Sequence, residues 1–235
     1  MSKPITLIIF AAAALASTAL IVPAAGLAAQ GWTSVTRNGS PMIEGSGRII
    51  RQNRAIQPFQ RVEVLGAASV DVRIGARPSL VIAADDNILP LLTSDVKNGT
   101  LTLGHRGSFR MRGPIRVSIT TPSLEAFTIS GSGDSVIHGV NGEPLAVTIN
   151  GSSNVQATGR TRQLKLSING SGNAAFGGLA AGNVDAGLHG SGSATVRASG
   201  LLDARVIGSG TLRYIGQPAN IRRQRIGSGR IIAAS

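Results

Sequence analysis

Two aspartates of this chain have the spacing of a carboxylate pair. Asp185 and Asp203 each stand five residues before a copy of a Gly-Ser-Gly motif, and a lysine and an arginine stand at the same position before neighbouring copies. Carboxylates one strand apart could bind calcium or act as the acid pair of a glycosidase. Two monodentate carboxylates supply too few oxygens for calcium, and the flanking cations favour a solvated row of charges. We therefore interpret the row as an outer-face charge ladder, made of Lys165, Asp185, Asp203 and Arg222.

The remaining nucleophiles and bases of the sequence have no partners at a useful spacing. Serine recurs at the centre of every motif copy, which favours a structural column over a single catalytic hydroxyl. His105, His138 and His189 are isolated and lack metal-ligand spacing. Cysteine is absent, and no Gly-x-Gly copy opens a helix as a dinucleotide site would. The sequence thus predicts no catalytic residue, no metal site and no cofactor site, and a protein that is not an enzyme.

The Gly-Ser-Gly motif itself predicts a repeat architecture. Its copies begin at residues 131, 151, 170, 190, 208 and 227, so successive copies are 18 to 20 residues apart, and the copy at 151–153 reads Gly-Ser-Ser. A step of this size is typical of units that bury an apolar face only by stacking on their neighbours.

Residues before each motif alternate between apolar and polar, which predicts strands with one buried face. Stacked backbones lie only ~4.8 Å apart, and glycine tolerates the positive φ and close approach of a sharp bend there. Residues 124–232 are predicted to form a parallel β-helix or β-solenoid, with rungs of about 19–20 residues made of strand, bend, strand and turn. The inward column nearest the bend is Ile129, Ile149, Ile168, Leu188 and Val206.

The part from 45 to 123 is predicted to be β-rich with one short helix. Strands are expected where apolar residues alternate or run together, around 61–64, 70–74, 80–83 and 115–120. Asp85-Asp86-Asn87 is the expected cap of the helix, which would run to about Leu92. Asn98-Gly99 predicts a tight hairpin turn. The early copy Gly45-Ser46-Gly47 is expected to use the same bend chemistry as the later ones.

The N-terminus has the pattern of a secretory signal peptide over residues 1–29. Lys3 is followed by an uncharged, mostly apolar stretch to Val22 and then by small residues through Ala29. An uncleaved anchor is the alternative, because the apolar stretch approaches the length of a bilayer span. The favoured interpretation is an exported protein of the periplasm, the outer-membrane surface or the medium.

The formal net charge of the full chain is +12. It becomes +11 when the leader is removed, because Lys3 is the one charged side chain of the leader. A basic surface attracts polyanions, so anionic envelope glycans and lipopolysaccharide are candidate partners, and no specific nucleic acid is expected. The alternative is that arginine serves here only as a general soluble residue. A further candidate partner is another copy of the chain, through the ends of the solenoid.

The ordered set of motifs resembles the head GIN domain family, described as putative auto-transporter adhesins and as a domain of unknown function. The resemblance covers residues 45–232 and implies a β-helix-like fold in exported bacterial proteins, with a role in adhesion. It implies no catalytic residues, and this chain lacks the lipoprotein cysteine of some members. The motifs that carry it are Gly45-Ser46-Gly47, 59–64, Asp85-Asp86-Asn87-Ile88-Leu89, Val96-Lys97-Asn98-Gly99-Thr100-Leu101, Pro122-Ser123-Leu124 and the Gly-Ser-Gly repeats.

Three functions follow from these features. The leading hypothesis is an envelope or surface interaction protein that displays a rigid solenoid. A polysaccharide-active β-helix enzyme would require a cleft with converging acids, and a self-assembling periplasmic module would require an open solenoid end. Glycan recognition by aromatic stacking is not favoured, since most aromatic residues fall in inward columns.

Overall fold

Strands of alternating polarity form two faces that enclose one core. The computed structural model describes residues 34–37 and 40–234, and its architecture is a β-solenoid of about five turns. The predicted all-β solenoid is therefore confirmed, while the predicted leader lies outside the described residues. In chain order the strands are β1 (Ser34–Arg37), β2 (Ser40–Glu44), β3 (Ile49–Arg54), β4 (Arg61–Gly66), β5 (Ser69–Ile74), β6 (Ser79–Asp85), β7 (Leu92–Lys97), β8 (Thr100–His105), β9 (Phe109–Arg110), β10 (Arg116–Thr121), β11 (Ala126–Gly131), β12 (Asp134–Gly142), β13 (Leu145–Gly151), β14 (Asn154–Gly170), β15 (Asn173–Gly190), β16 (Ser193–Ala198), β17 (Leu201–Gly208), β18 (Thr211–Ile215), β19 (Asn220–Ile226) and β20 (Arg230–Ala234).

The first face stacks the strands that precede each bend. Its parallel neighbours run β8, β4, β11, β13, then the second halves of β14 and β15, then β17 and β19, and β7 pairs antiparallel with β8 at one edge. The second face stacks the strands that follow each bend. Its parallel neighbours run β10, β5, β12, then the first halves of β14 and β15, then β16, β18 and β20, with β6 and β3 antiparallel at its edge.

Backbone geometry at the bends explains the glycine repeat. Gly170 has φ +126°, and a Cβ added to it would lie 2.5 Å from the carbonyl oxygen of Gly151 on the previous rung. The first glycines of the other copies have the same positive φ and the same kind of close contact with the rung before. Four of the motif serines, Ser152, Ser171, Ser191 and Ser209, donate the backbone N–H to a glycine carbonyl one rung back, as Ser171 does to Gly151 over 2.9 Å. Glycine therefore recurs at these bends because a side chain there would collide with the backbone of the previous rung.

The inward columns are buried as predicted. Ile149 and Ile168 have no exposed surface and stand opposite each other in the parallel register, as Ile168 and Leu188 do on the next pair. Phe59, Phe127, Phe176 and Tyr214 are also buried, which confirms the inward placement of the aromatic residues. Two serines interrupt the apolar core. The buried hydroxyls of Ser135 and Ser153 make no hydrogen bond in the part of the chain that the structure describes.

The short helix predicted for the N-terminal part is present as a single 3-10 turn at Leu89–Leu91, but the predicted cap is wrong, because no side chain caps this turn. Asp85, Asp86 and Asn87 instead hold the early motif: Asp85 accepts from the Gly47 N–H (2.8 Å), Asp86 from the Ser46 hydroxyl (2.5 Å) and Asn87 from the Ser46 N–H (2.9 Å). That motif leads into β3 and stands outside the bend column. The same acceptor side chains that cap helices can satisfy the amides of a bend, so sequence did not separate the two.

The predicted hairpin is present and completes the first face. Asn98 and Gly99 have φ +50° and +73°, and β7 and β8 pair antiparallel from Lys97 and Thr100 outward. Strands β1, β2 and β9 form a separate small sheet, antiparallel between β1 and β2 and parallel between β2 and β9. Within the described residues, no helix has the length and apolar character to cross a membrane.

Candidate functional site

One bend of the solenoid is not tight. Strand β11 passes to β12 through Gly131-Ser132-Gly133, and β4 passes to β5 through a similarly short bend. Strands β8 and β10 stack on β4 and β5 as one further level of the same two faces, but residues 106–115 connect them. This longer connection, called here the cover loop, contains β9 and spans the gap between the faces.

A cavity of about 460 Å³ lies beneath the cover loop. Phe109 and Met111 of the loop line it from above and are themselves half-buried. The floor consists of buried apolar side chains from both faces, namely Val64, Ile82, Leu92, Leu103, Ile115 and Val117. The mouth opens among exposed residues, namely Leu65, Ala67, His105, Gly107, Ser108 and Ser132. The site is thus apolar inside and weakly polar at its opening.

Neighbouring segments hold the cover loop in place from the outside. Strand β2 pairs with β9, and the Gly45 N–H donates to the carbonyl of Arg110 over 2.7 Å. The buried Asp85 carboxylate accepts the backbone N–H groups of Arg112 (3.1 Å) and Gly113 (3.3 Å). The pKa of the neighbouring Asp86 carboxyl is lowered, first because the Ser46 hydroxyl donates a hydrogen bond to it. The three polar side chains at 85–87 therefore tie the early motif and the cover loop to one point.

His105 stands at the mouth of the cavity. Its ring meets Phe109 edge to face with centroids 5.1 Å apart, and its Nδ1 lies 3.2 Å from the carbonyl oxygen of Gly107. A hydrogen bond to that carbonyl requires the proton on Nδ1, which leaves Nε2 as the ring's other polar atom. The spacing of the histidines predicts no metal-ligand or base role for His105, and the structure places it beside an apolar opening.

The opposite end of the solenoid carries a concentration of arginine. Residues 197–234 contain seven arginines and one acid, Asp203, whereas nine of the eleven acids lie between residues 44 and 143. All seven arginines are exposed, and among the described residues none forms an ion pair within 4.0 Å. The arginine end, as we call this surface, consists of Arg197, Arg205, Arg213, Arg222, Arg223, Arg225 and Arg230.

The last described rung also breaks the apolar columns. Arg223 follows Ala204 and Arg225 follows Val206 in the inward register, where earlier rungs carry apolar side chains. Arg223 donates to the Tyr214 hydroxyl and its guanidinium stands 5.1 Å from the centre of that ring. Among the described strands, β19 pairs in register with β17 and β20 with β18. An edge with charged inward side chains disfavours stacking of another rung directly on it.

The predicted charge ladder has the expected register. Lys165 stands opposite Asp185, Asp185 opposite Asp203, and Asp203 opposite Arg222 on successive strands of the first face. No ion pair within 4.0 Å joins any two of the four in the described structure. The described residues contain no group of three or more His, Asp or Glu side chains placed to hold a metal ion. That the row has no catalytic or metal-binding role stays a prediction.

The other polar candidates line the bend edge of the solenoid. The Asn150 side chain donates to Ser130 (3.2 Å), and Asn169 donates to Asn150 (2.9 Å), with His189 opposite Asn169. A second ladder joins Asp134, Asn154, Asn173 and Ser193. The exposed hydroxyls of the motif serines make no hydrogen bond among the described residues, so the serine column faces solvent. His138 lies 3.9 Å from Asp71 on the second face, away from these ladders.

An acid-lined groove bears on the enzyme hypothesis. A groove of about 760 Å³ near the start of the repeat contains Glu125 and Glu143. Glu125 pairs with Arg61 at 3.7 Å and Glu143 with Arg162 at 3.1 Å. A glycosidase uses two carboxyls that flank the bond to be cleaved, whereas each acid of this groove is in an ion pair with an arginine. The groove does not present an acid pair of that kind.

The sequence pointed to the ladder, the arginines and the serine column but not to the cavity. A signal was present in residues 105–113, where Phe109 and Met111 alternate with Arg110 and Arg112 inside a connection much longer than the other bends. Alternation in a connecting segment indicates that one side of it is buried. What it covers depends on strands far away in sequence.

A two-faced parallel solenoid with glycine bends and an irregular, partly antiparallel N-terminal end defines a β-solenoid protein. The chain belongs to the head GIN domain family, described as "Putative auto-transporter adhesin, head GIN domain", which matches residues 58–218. The match lies within the 45–232 expected from the motifs. Comparison with curated proteins gives no match.

Solved structures share the fold. A putative adhesin from Bacteroides fragilis is 25% identical, with a TM-score of 0.63 over 82% of this chain and 100% of its own. A putative adhesin from Parabacteroides merdae is 22% identical, with a TM-score of 0.53 over 83% and 99%. A protein from Parabacteroides distasonis described as a putative lipid binding protein is 20% identical, with a TM-score of 0.53 over 83% and 100%. The last two likenesses concern the fold alone.

Proposed function

We propose that this chain is an exported, non-catalytic envelope protein whose solenoid displays the arginine end to anionic envelope glycans, lipopolysaccharide among them. The observation that supports this most is the set of seven exposed arginines without ion pairs on the last rungs. A guanidinium can bind phosphate or carboxylate through two parallel hydrogen bonds, and one without an anionic partner has no ion pair to break first. The family's adhesin description agrees with such a role.

Arginines elsewhere in the chain provide the contrast. Arg73 pairs with Asp71 at 3.1 Å, and Arg162 pairs with Glu143 at 3.1 Å. They carry the same charge, but each already has an anionic neighbour. The arginine end differs from these two sites because its seven guanidiniums have no anionic partner within 4.0 Å among the described residues and lie in a segment with a single acid.

Binding of purified lipopolysaccharide to the full chain, measured at two salt concentrations, tests the proposal. Arg222→Gln with Arg225→Gln should weaken binding about tenfold and reduce its salt dependence. The matched control, Arg73→Gln with Arg162→Gln, removes the same charge and should have a much smaller effect. Equal losses in the two double variants would indicate attraction by net charge alone and would contradict a specific arginine surface.

Export is tested separately by the N-terminus of the protein made in cells. With the predicted signal peptide cleaved, intact-mass analysis should show a chain that begins at or near Ala29 or Gln30. A membrane-bound species that still carries residues 1–28 would support the uncleaved anchor.

The alternative of a self-assembling module meets an obstacle at the arginine end. Another copy stacked there would bury Arg223 and Arg225 against an apolar core, at the cost of desolvating two charges. Sedimentation of the full chain should therefore show no elongated stacks at low salt. A ladder of oligomers that Arg223→Leu with Arg225→Leu leaves unchanged would count against this assignment.

A further inference from the structure

The cavity beneath the cover loop is too large to be a packing defect. Its volume of about 460 Å³ falls within the 300–1,000 Å³ typical of small-molecule sites. By comparison, an engineered apolar cavity of about 150 Å³ already admits benzene. The floor side chains are buried and apolar, so an occupant gains by burying hydrocarbon and not by hydrogen bonding.

Loop geometry makes the cavity part of the fold. The Gly-Ser-Gly bends close in about three residues, and their first glycines leave no room for a side chain between successive rungs. Here the connection is held away from the core by β2 and by the Asp85 carboxylate, which accepts two of its backbone N–H groups. Phe109 and Met111 contribute flexible or aromatic apolar surface toward the space. The cover is therefore supported by contacts that keep the cavity open.

The charge around the opening selects the polar end of an occupant. The cover loop contains three arginines and no acid. Arg112 pairs with Glu44 at 3.5 Å, whereas the exposed Arg106 and Arg110 side chains make no ion pair within the described residues. Arg106 directly follows His105, whose ring lines the mouth. The polar side chains that line the mouth are those of His105, Ser108 and Ser132, and Arg106 is the cation next to His105 in sequence.

We infer that the cavity binds a medium- or long-chain fatty acid, with the hydrocarbon between the two faces and the carboxylate at the mouth beside His105, one residue from Arg106. An uncharged sugar is disfavoured because the floor offers it no hydrogen-bond partner. A bulky, multiply charged headgroup is disfavoured because no arginine or lysine is among the described residues that line the cavity. This site lies on the irregular N-terminal part and is independent of the arginine end.

Titration of the delipidated full chain with laurate, read by displacement of the fluorescent fatty acid cis-parinaric acid, tests the site. Val117→Phe adds volume to the cavity floor and should weaken laurate binding by at least about tenfold, with far-UV circular dichroism unchanged. Should that variant fold poorly, Ala67→Trp closes the exposed mouth and should have the same effect. Unchanged laurate affinity in a folded variant of either kind would overturn the proposal.

The headgroup assignment is tested with laurate and 1-dodecanol, which differ in charge at the polar end. Arg106→Gln should weaken laurate binding about threefold and leave dodecanol binding unchanged, because an exposed charge pair contributes little more than that. Equal effects on the two ligands would overturn the place of the carboxylate. Tighter binding of lysophosphatidylglycerol than of laurate would overturn the choice of a free fatty acid.

The arginine-end variant Arg222→Gln with Arg225→Gln is the matched control. It should bind laurate as the unaltered chain does, while its lipopolysaccharide binding falls. Loss of laurate binding in that variant would show that the ligand recognises the arginine end and not the cavity. The two proposals can therefore fail separately.

Discussion

The solenoid closes its two ends differently from its middle, and the clearest contrast is between the cover loop and the Gly-Ser-Gly bends. At the bends, each first glycine touches the backbone of the rung before it, so the connection has neither length nor space to spare. At the cover loop, Gly107 has φ +69° but a Cβ added there would meet nothing within 4 Å. The repeated part is thus built for close stacking, and the irregular part is where the fold leaves room for a ligand.

Glycine substitutions should show this contrast with the largest effect. Gly170→Ala requires a Cβ 2.5 Å from a carbonyl oxygen as well as a strained φ, so we expect a loss of about 3 kcal/mol or more in the free energy of unfolding. Gly107→Ala has the strain without the contact and should cost about 1 kcal/mol. Denaturant melts of both variants measure the difference. Similar losses would mean that the bends are not limited by contact between rungs.

Truncation of the inward column tests whether packing holds the rungs together. Ile168→Ala should cost about 2–5 kcal/mol through lost burial and a residual cavity, since Ile168 is fully buried. Its outward neighbour Ser167→Ala should be nearly neutral. Hydrogen exchange should show the damage spreading first to the rungs after Ile168, because each rung contacts mainly its neighbours. Equal losses at the two positions would contradict the burial pattern.

A smaller effect, of opposite sign, is expected where the core contains an unsatisfied hydroxyl. Ser135 lies in the inward column between Val70 and Val155, and its hydroxyl has no hydrogen-bond partner among the described residues. Ser135→Ala should raise the free energy of unfolding by about 1 kcal/mol. The exposed Ser152→Ala is the control and should change nothing. A loss of stability in Ser135→Ala would indicate an unseen partner, such as a buried water.

The least effect is expected on the outer face. Asp185→Ala with Asp203→Ala should shift stability by only about 0–1 kcal/mol and should leave lipopolysaccharide binding intact, since exposed charges contribute little. Thermal melts with and without calcium supply the measurement. A calcium-dependent stabilisation that the double variant loses would show that the row is a metal site.

How much of the fold the sequence predicts follows from the same contrast. The rung register and the inward columns were predictable because the steric demand on Gly170 and the burial of Ile168 recur every 18 to 20 residues, so each copy corroborates the others. The excess of arginine over acidic residues was evident from the composition. The lack of ion pairs at the arginine end was not, because it depends on where the eleven acids lie in space. The order of Lys165, Asp185, Asp203 and Arg222 in the charge ladder was predictable from their common position five residues before each motif copy.

The N-terminal part offered no such repetition. The cover loop depends on contacts among residues 43–47, Asp85 and 109–113, which are far apart in sequence and have no common period. The sequence predicts a helix cap at Asp85-Asp86-Asn87, whereas these side chains accept hydrogen bonds from the early Gly-Ser-Gly motif. The two arrangements cannot be separated from sequence, because the N–H groups of a bend and of a helix end bind the same acceptor side chains. The presence of a cavity depends on how distant segments fit together in space, and no single residue type in the sequence indicates it.

The order of strands on the first face has a consequence for how the chain folds. Strand β4 lies between β8 and β11, so its two neighbours join it across about 40 and 65 residues of chain. Later rungs need only the preceding 18 to 20 residues as a template. Loop closure costs more for distant partners, and rates fall as contacts become less local. The rate-limiting step of folding should therefore be the assembly of β4, β5, β8 and β11. The remaining rungs then add one after another, each on the rung that precedes it in the chain.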